Sequence, residues 1–423
     1  MIRFKKTELT NGIRVVSENH PHSHAAALGV WVLTGTRDED PKVAGISHFL
    51  EHMVFKGTKT RSAFQIAKSL EALGGELNAF TTREYTCYHA YVLKDHWYKG
   101  LDVLSDLASN MALKRDDFRL EKSVVLQEIA MSEDELEDLI FDVYFDRALG
   151  RHPLGRPILG NLKSIAKLKQ SQVLQYYRER YIGNNIIVSC TGNVDHQELV
   201  EAVQKFLGGK IKRRVGSASR KPRHRPFREV IEKPGEQTHL LIGFPCTSFK
   251  DKLRFEAFIV NTLLGGGMTS KLYQKIREKR GLVYTIHSGL STFLNFGLLS
   301  IYAACEPKNM KQVVKCISSE LRRVVKSGIS QAELDLFKTQ VTGSVLLGAD
   351  DIDNRMQSIA INELVFGKYK PVENIIEEIN KVTVKSVNEY LRRYLDLENV
   401  GAVLMGAGAN ELSDWFKEID FKK

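Results

Sequence analysis

The chain has 423 residues, two to three times a typical domain, so two or more domains are expected. Its 43% hydrophobic content is enough for sizeable cores, which excludes global disorder, a collagen-like chain and a disulfide-stapled miniprotein. The net charge is +10, but Lys210–Arg228 alone carries nine Lys/Arg and no Asp or Glu. The remainder is nearly balanced, so no nucleic-acid partner is expected.

The first six residues, Met1 to Lys6, are not followed by the roughly 7–15 apolar residues of a secretory signal. The longest mostly apolar run, Ala25–Leu33, falls far short of the roughly 20 residues of a membrane span. A cytoplasmic protein without membrane segments is therefore expected. Cys87, Cys190, Cys246, Cys305 and Cys316 show no Cys-x-x-Cys spacing and read as buried thiols in a reducing compartment.

Along the chain, Ala25–Leu33 reads as a strand and a polar loop leads to an amphipathic helix around His48. Tyr85–Leu93 alternates as a second strand, helices follow, and an apolar strand ends at Gly192. The basic stretch with its Gly, Ser and Pro reads as a linker, placed at 210–233. The order then repeats. Gly29 recurs as Gly243, Tyr181 as Tyr394 and Gly192 as Gly406, 213 or 214 residues later. Gly297–Cys305 answers Tyr85–Leu93. The expected fold class is α+β in two homologous halves, 1–209 and 234–423, each a mainly antiparallel sheet packed with helices.

Gly45-Ile46-Ser47-His48-Phe49-Leu50-Glu51-His52-Met53 carries the chemistry. On a helix, His48 and His52 lie one turn apart on one face, where both imidazoles reach one ion. Glu51 projects beside that site without having to be a ligand. Zinc suits the set: it binds neutral imidazole well and acidifies water, whose proton a neighbouring carboxylate takes. The apolar neighbours of the motif disfavour a pair of unpartnered surface histidines. A third ligand is expected from a helix over Asp117–Ile129. Glu121 and Glu128 are both candidates, seven residues apart on nearly one face. Glu128, after Val124, Val125 and Leu126, is placed in the more buried turn and favoured as ligand, with Glu121 orienting a histidine. In the second half, His48 maps near Asn261 or Thr262, Glu128 to Ser344 and Glu121 to Phe337. One metal site per chain is expected.

Gly35 followed by Gly45–Thr58 resembles the signature of the pitrilysin and mitochondrial-processing-peptidase family of zinc peptidases, in its short two-domain bacterial form. The resemblance runs essentially end to end. It implies an endopeptidase with one Zn2+ per chain on His48, His52 and Glu128, Glu51 as general base and Glu121 in support. It further implies that Asn78, Ala79 and Phe80, within Gly74–Thr81, receive a peptide substrate as an added β-strand. Arg277 and Tyr284 match the pair that donates hydrogen bonds to the substrate carbonyl. Two short chains of this type close like a clamshell, so a homodimer with composite sites is implied, or a heterodimer with a metal-free paralogue. The alternative function is a non-catalytic structural or assembly subunit of the same family, although such members usually lose motif residues.

Overall fold

The computed structural model describes residues 3–209 and 221–421. The chain forms two compact units, neither continuous in sequence. The first comprises Met1–Met131, Arg156–Ser219 and Leu347–Lys370; the second Ser132–Gly155, Arg220–Leu346 and Pro371–Lys423.

The strands are β1 (Arg3–Glu8), β2 (Arg14–Asn19), β3 (Ala25–Val32), β4 (Glu76–Thr81), β5 (Thr86–Leu93) and β6 (Ile186–Gly192) in the first unit. In the second they are β7 (Phe227–Glu232), β8 (Thr238–Cys246), β9 (Thr285–Thr292), β10 (Gly297–Cys305) and β11 (Gly401–Gly406). The first sheet runs β1-β2-β6-β3-β5-β4 and the second β7-β11-β8-β10-β9. Without β1, the two orders are the same. Each sheet also has a single parallel pair at the same place, β2 with β6 and β7 with β11. The duplication read in the sequence is thus a duplication of topology.

On one face of the first sheet lie α1 (Ile46–Phe55), α2 (Ala63–Glu71), α3 (Trp97–Ser109) and α4 (Arg115–Asp134). Phe49 and Leu50 of α1 and Leu101 and Leu104 of α3 join Leu28, Val30 and Ala90 of the sheet in one core. The other face is covered by the helix Ile352–Phe366, whose Met356, Ile359 and Ala360 pack on Val16, Trp31 and Ile187. In the second unit the corresponding cover is α5 (Leu136–Leu149), whose Ile140 and Tyr144 pack on Leu241, Tyr302 and Val403. Each sheet is therefore covered by a helix from the other half of the sequence. The continuous segments 1–209 and 234–423 each lack the helix that covers their own sheet.

The pair Gly29 and Gly243 marks close approaches of these helices. A Cβ on Gly243 would lie 2.5 Å from the Tyr144 ring, and one on Gly29 2.6 Å from Met356 Sδ. Phe227–Glu232, assigned to the linker on its composition, is a strand instead. Its parallel ladder with β11 and the packing of Phe227 and Ile231 against the α5 core outweigh the basic surroundings. Lys210–Arg220 lies outside the described residues. All five cysteines are buried and free. Among the described residues, no helix is long and apolar enough to cross a membrane.

A buried ion cluster fixes the exchanged helix of the first unit. Glu18 on β2 accepts hydrogen bonds from Arg355 Nε at 2.9 Å and Tyr369 Oη at 2.9 Å, and lies 2.8 Å from His20 Nε2. Burial raises its pKa, but hydrogen bonds from His20, Arg355 and Tyr369, with the Arg355 charge, hold it down at about 2 against an ordinary 4.5. Its stabilising contribution is complete above the ordinary value and is lost as pH falls through about 2. Denaturant midpoints of the wild type should therefore drop between those limits more steeply than those of Glu18→Gln. Parallel pH profiles for the two proteins would contradict this.

Candidate metal centre

The motif helix is set by its entry. Gly45 adopts φ 90, and a Cβ there would lie 2.4 Å from the Leu159 carbonyl oxygen, so only glycine fits the turn. The Glu39 carboxylate accepts from the backbone N–H groups of Gly45 and Ser47, each at 2.8 Å, and so caps the first turn of α1. Burial pushes the Glu39 carboxyl up to about 7, against these two hydrogen bonds. Tyr176, bonded to both Ser47 Oγ at 2.8 Å and Thr34 Oγ1 at 3.0 Å, ties the same turn to the end of β3.

One turn further on, His48 and His52 bring their Nε2 atoms to 3.2 Å. Glu128 on α4 completes the group, with Oε1 at 3.6 Å from His48 Nε2 and Oε2 at 3.5 Å from His52 Nε2. The His52 Nδ1–H donates to Glu121 Oε1 at 2.8 Å, because a carboxylate only accepts. A neutral His52 therefore presents a lone pair at Nε2, towards His48 and Glu128. Lys56, one turn after His52, pairs with the other Glu121 oxygen at 2.6 Å.

These donors suit zinc. A tetrahedral ion with bonds of roughly 2.0–2.2 Å separates its ligand atoms by about 3.3 Å. Glu128 Oε2 is buried and lacks a hydrogen-bond partner. Burial and the neighbouring His52 hold His48 down at about 3, so its imidazole is neutral, the form that binds metal. For His52, burial disfavours charge, but the Glu121 hydrogen bond and the Glu128, Glu121 and Glu51 charges outweigh it and raise its pKa. Among the described residues, His48, His52 and Glu128 form the one group of three side chains able to hold a metal ion. The mapped positions on the helices Arg254–Gly265 and Gln331–Ala349 bring no second set together.

Burial on α4 runs opposite to the sequence expectation. Glu121 is 2% exposed, whereas the Glu128 side chain is 40% exposed. The buried face of α4 is Phe118, Glu121, Val125 and Ile129. Glu128 lies beside that face, and Val124 is 38% exposed. Reach towards both Nε2 atoms, and not depth, distinguishes Glu128 from Glu121.

Glu51 points from the same helix to the sheet, where Thr81 Oγ1 at the end of β4 donates to Glu51 Oε2. Burial raises the Glu51 pKa, partly offset by this bond and by His52. Asn78, Ala79 and Phe80 lie on β4, the edge strand of the first sheet, paired on one side with His89, Tyr88 and Cys87 of β5. Arg277 and Tyr284 belong to the second unit. The Arg277 guanidinium lies 4.9 Å from the Tyr273 ring and 5.4 Å from the Tyr284 ring, and Tyr284 is 75% exposed, which rules out a core role.

Sequence reasoning missed Glu39, Lys56 and Thr81. Lys56 and Thr81 stand inside the quoted motifs, and Lys56 at four residues after His52 carried a helical-face signal. Glu39 lies in an irregular loop and had no local signal.

Residues 14–162 match the family model described as insulinase, peptidase family M16, and residues 167–341 match the peptidase M16 inactive domain. A protein of Mycobacterium leprae named an uncharacterized zinc protease is 39% identical over 411 residues, covering 96% of this chain and 92% of its own. One from Bacillus subtilis, also named an uncharacterized zinc protease, is 36% identical, covering 96% and 99%. The crystal structure of a protease from Helicobacter pylori shares the fold with TM-score 0.88 at 22% identity, covering 96% of this chain and 100% of that one. The structure of a peptidase M16 inactive domain from Pseudomonas fluorescens does so with TM-score 0.88 at 19% identity, covering 96% and 98%. By its sequence matches, the chain belongs to the insulinase family of peptidases, M16.

Proposed function

We propose that the protein is a zinc endopeptidase that hydrolyses peptides or unfolded polypeptide segments. The observation that carries this reading is the convergence of His48, His52 and Glu128 within 4.8 Å, with Glu51 on the same helix turn. Its relatives named zinc proteases support it.

In this reading His48, His52 and Glu128 hold the ion, and Glu121, backed by Lys56, fixes the ring of His52. Zinc in such a site acidifies water and polarises a carbonyl oxygen. Glu51 is the general base. Thr81 occupies Oε2, and the other carboxylate oxygen takes the proton from the attacking water and returns it to the leaving amine nitrogen. A raised pKa suits a base that must also release its proton near neutral pH. The free edge of β4 at Asn78, Ala79 and Phe80 receives the substrate backbone as an added strand, which selects extended peptide with little side-chain demand.

Arg277 and Tyr284 donate hydrogen bonds to the substrate carbonyl oxygen. The resemblance assigns them to a clamshell chamber closed by a second copy of the chain, or by a metal-free paralogue. Mixing Glu51→Gln chains with Tyr284→Phe chains should then restore activity from the heterodimers; no recovery would sink the composite site.

A mixed peptide library tests the activity itself. Wild type is expected to cleave it and to stop on chelation, while Glu51→Gln keeps its zinc and loses roughly 10²–10⁴-fold in rate. Equal rates for the two proteins would remove Glu51 as base. Zinc without cleavage in wild type would favour the structural-subunit role.

A further inference from the structure

Gly35 and Arg37, on the loop that leads from β3 to the motif helix, take no part in the chemistry above. This loop presses on the Thr82–Tyr85 turn that joins β4 to β5. A Cβ on Gly35 would lie 2.7 Å from the Glu84 backbone nitrogen and closer still to the Thr82 carbonyl oxygen, so only glycine allows the approach. The Thr36 N–H donates to the Thr82 carbonyl at 3.4 Å, and the Arg37 N–H to the Arg83 carbonyl at 2.9 Å. The Arg37 guanidinium then pairs with the Glu84 carboxylate, and both residues are buried. Thr86, opposite Thr81 in the ladder, donates to the Thr34 carbonyl at 3.2 Å.

The other end of the loop is the start of α1. Glu39, two residues after Arg37, caps the Gly45 and Ser47 N–H groups. Arg180 donates to the Asp38 carbonyl at 2.8 Å and Arg156 to the Glu39 carbonyl at 2.6 Å, which holds the loop on the body of the unit. One short segment thus sets both the helix that carries Glu51 and the turn that follows Thr81. Those are the two partners of the Thr81–Glu51 hydrogen bond. A buried ion pair is a poor source of stability, because apolar residues of similar volume replace it at little cost. What it supplies is one geometry, since guanidinium and carboxylate bond along fixed directions.

We propose that Arg37 is a positioning residue for the general base. Through Glu84 it holds the β4–β5 turn on the loop that starts α1. Thr81 then meets Glu51 in one orientation and leaves the other carboxylate oxygen to the attacking water. The inference rests on Glu51 as the base of the peptidase reading.

The test compares wild type with the Arg37→Met, Glu84→Met double variant, with Thr81→Val and with the triple variant. The double variant removes both charges and keeps most of the volume. Zinc content and melting temperature are read for each protein beside the kinetics. The double variant is expected to fold and keep zinc, and to lose roughly 10- to 100-fold in kcat at unchanged KM on a peptide that wild type cleaves. Thr81→Val should lose as much, and the triple variant no more than either. A kcat per bound zinc within about twofold of wild type, or losses that multiply in the triple variant, would overturn the role. Should the double variant not fold, Glu84→Gln takes its place in the same comparison. Should wild type cleave no peptide, the peptidase reading has failed on its own, and a crystal structure of the double variant decides. Thr81 Oγ1 out of hydrogen-bond reach of Glu51, with α1 in place, supports the positioning of Glu51 through Arg37. An unchanged Thr81–Glu51 bond overturns it.

Discussion

Two imidazole nitrogens 3.2 Å apart are the constraint that the rest of the first unit serves. With His48 neutral and His52 donating from Nδ1 to Glu121, two nitrogen donors and a carboxylate from α4 face one small volume. Such an arrangement suits a cation. Keeping it requires that α1 start at one place and keep one rotation. The Glu39 cap, the turn at Gly45 and the Tyr176 bonds fix the start, and the Phe49 and Leu50 packing fixes the rotation. Glu121, paired with Lys56, then fixes the ring of His52.

The fold supplies the second element of the proposed function, a strand edge beside Glu51, the proposed base. Placing β4 outermost in the order β1-β2-β6-β3-β5-β4 leaves one side of it unpaired among the described residues, and Thr81 joins that strand to Glu51. The same order in the second sheet makes β9 its counterpart, but among the described residues no second set of ligands gathers there. Duplication thus gave two like scaffolds and, among the described residues, one metal-capable group. The exchange of covering helices means that each sheet's second face depends on the other half of the sequence. Glu18 and Arg355 show how strongly one such helix is held, with both groups buried and paired.

What was legible in the sequence was local. His48, Glu51 and His52 announce themselves because a helix converts their spacing into a shared face, and one pair of the repeat, Gly29 and Gly243, sits where a helix presses on the sheet. The metal-capable group has the three members expected, yet the reason offered for Glu128 failed. Val124 is exposed and Leu126 only partly buried against the core, whereas Val125 and Glu121 occupy the buried face. Long-range pairing left no local trace. The strand β7 was hidden in basic composition because its partner, β11, lies far along the chain. The helix exchange escaped for the same reason: nothing in the residues of either helix says which sheet it covers.

The most direct measurement is zinc stoichiometry with X-ray absorption at the zinc edge, on wild type and on His52→Ala. One zinc per chain, bound by two imidazoles and carboxylate oxygen in wild type and lost or short of one imidazole in the variant, is the expected result. Failure to retain zinc after loading, or a sulfur ligand from one of the buried cysteines, would contradict the assignment of His48, His52 and Glu128.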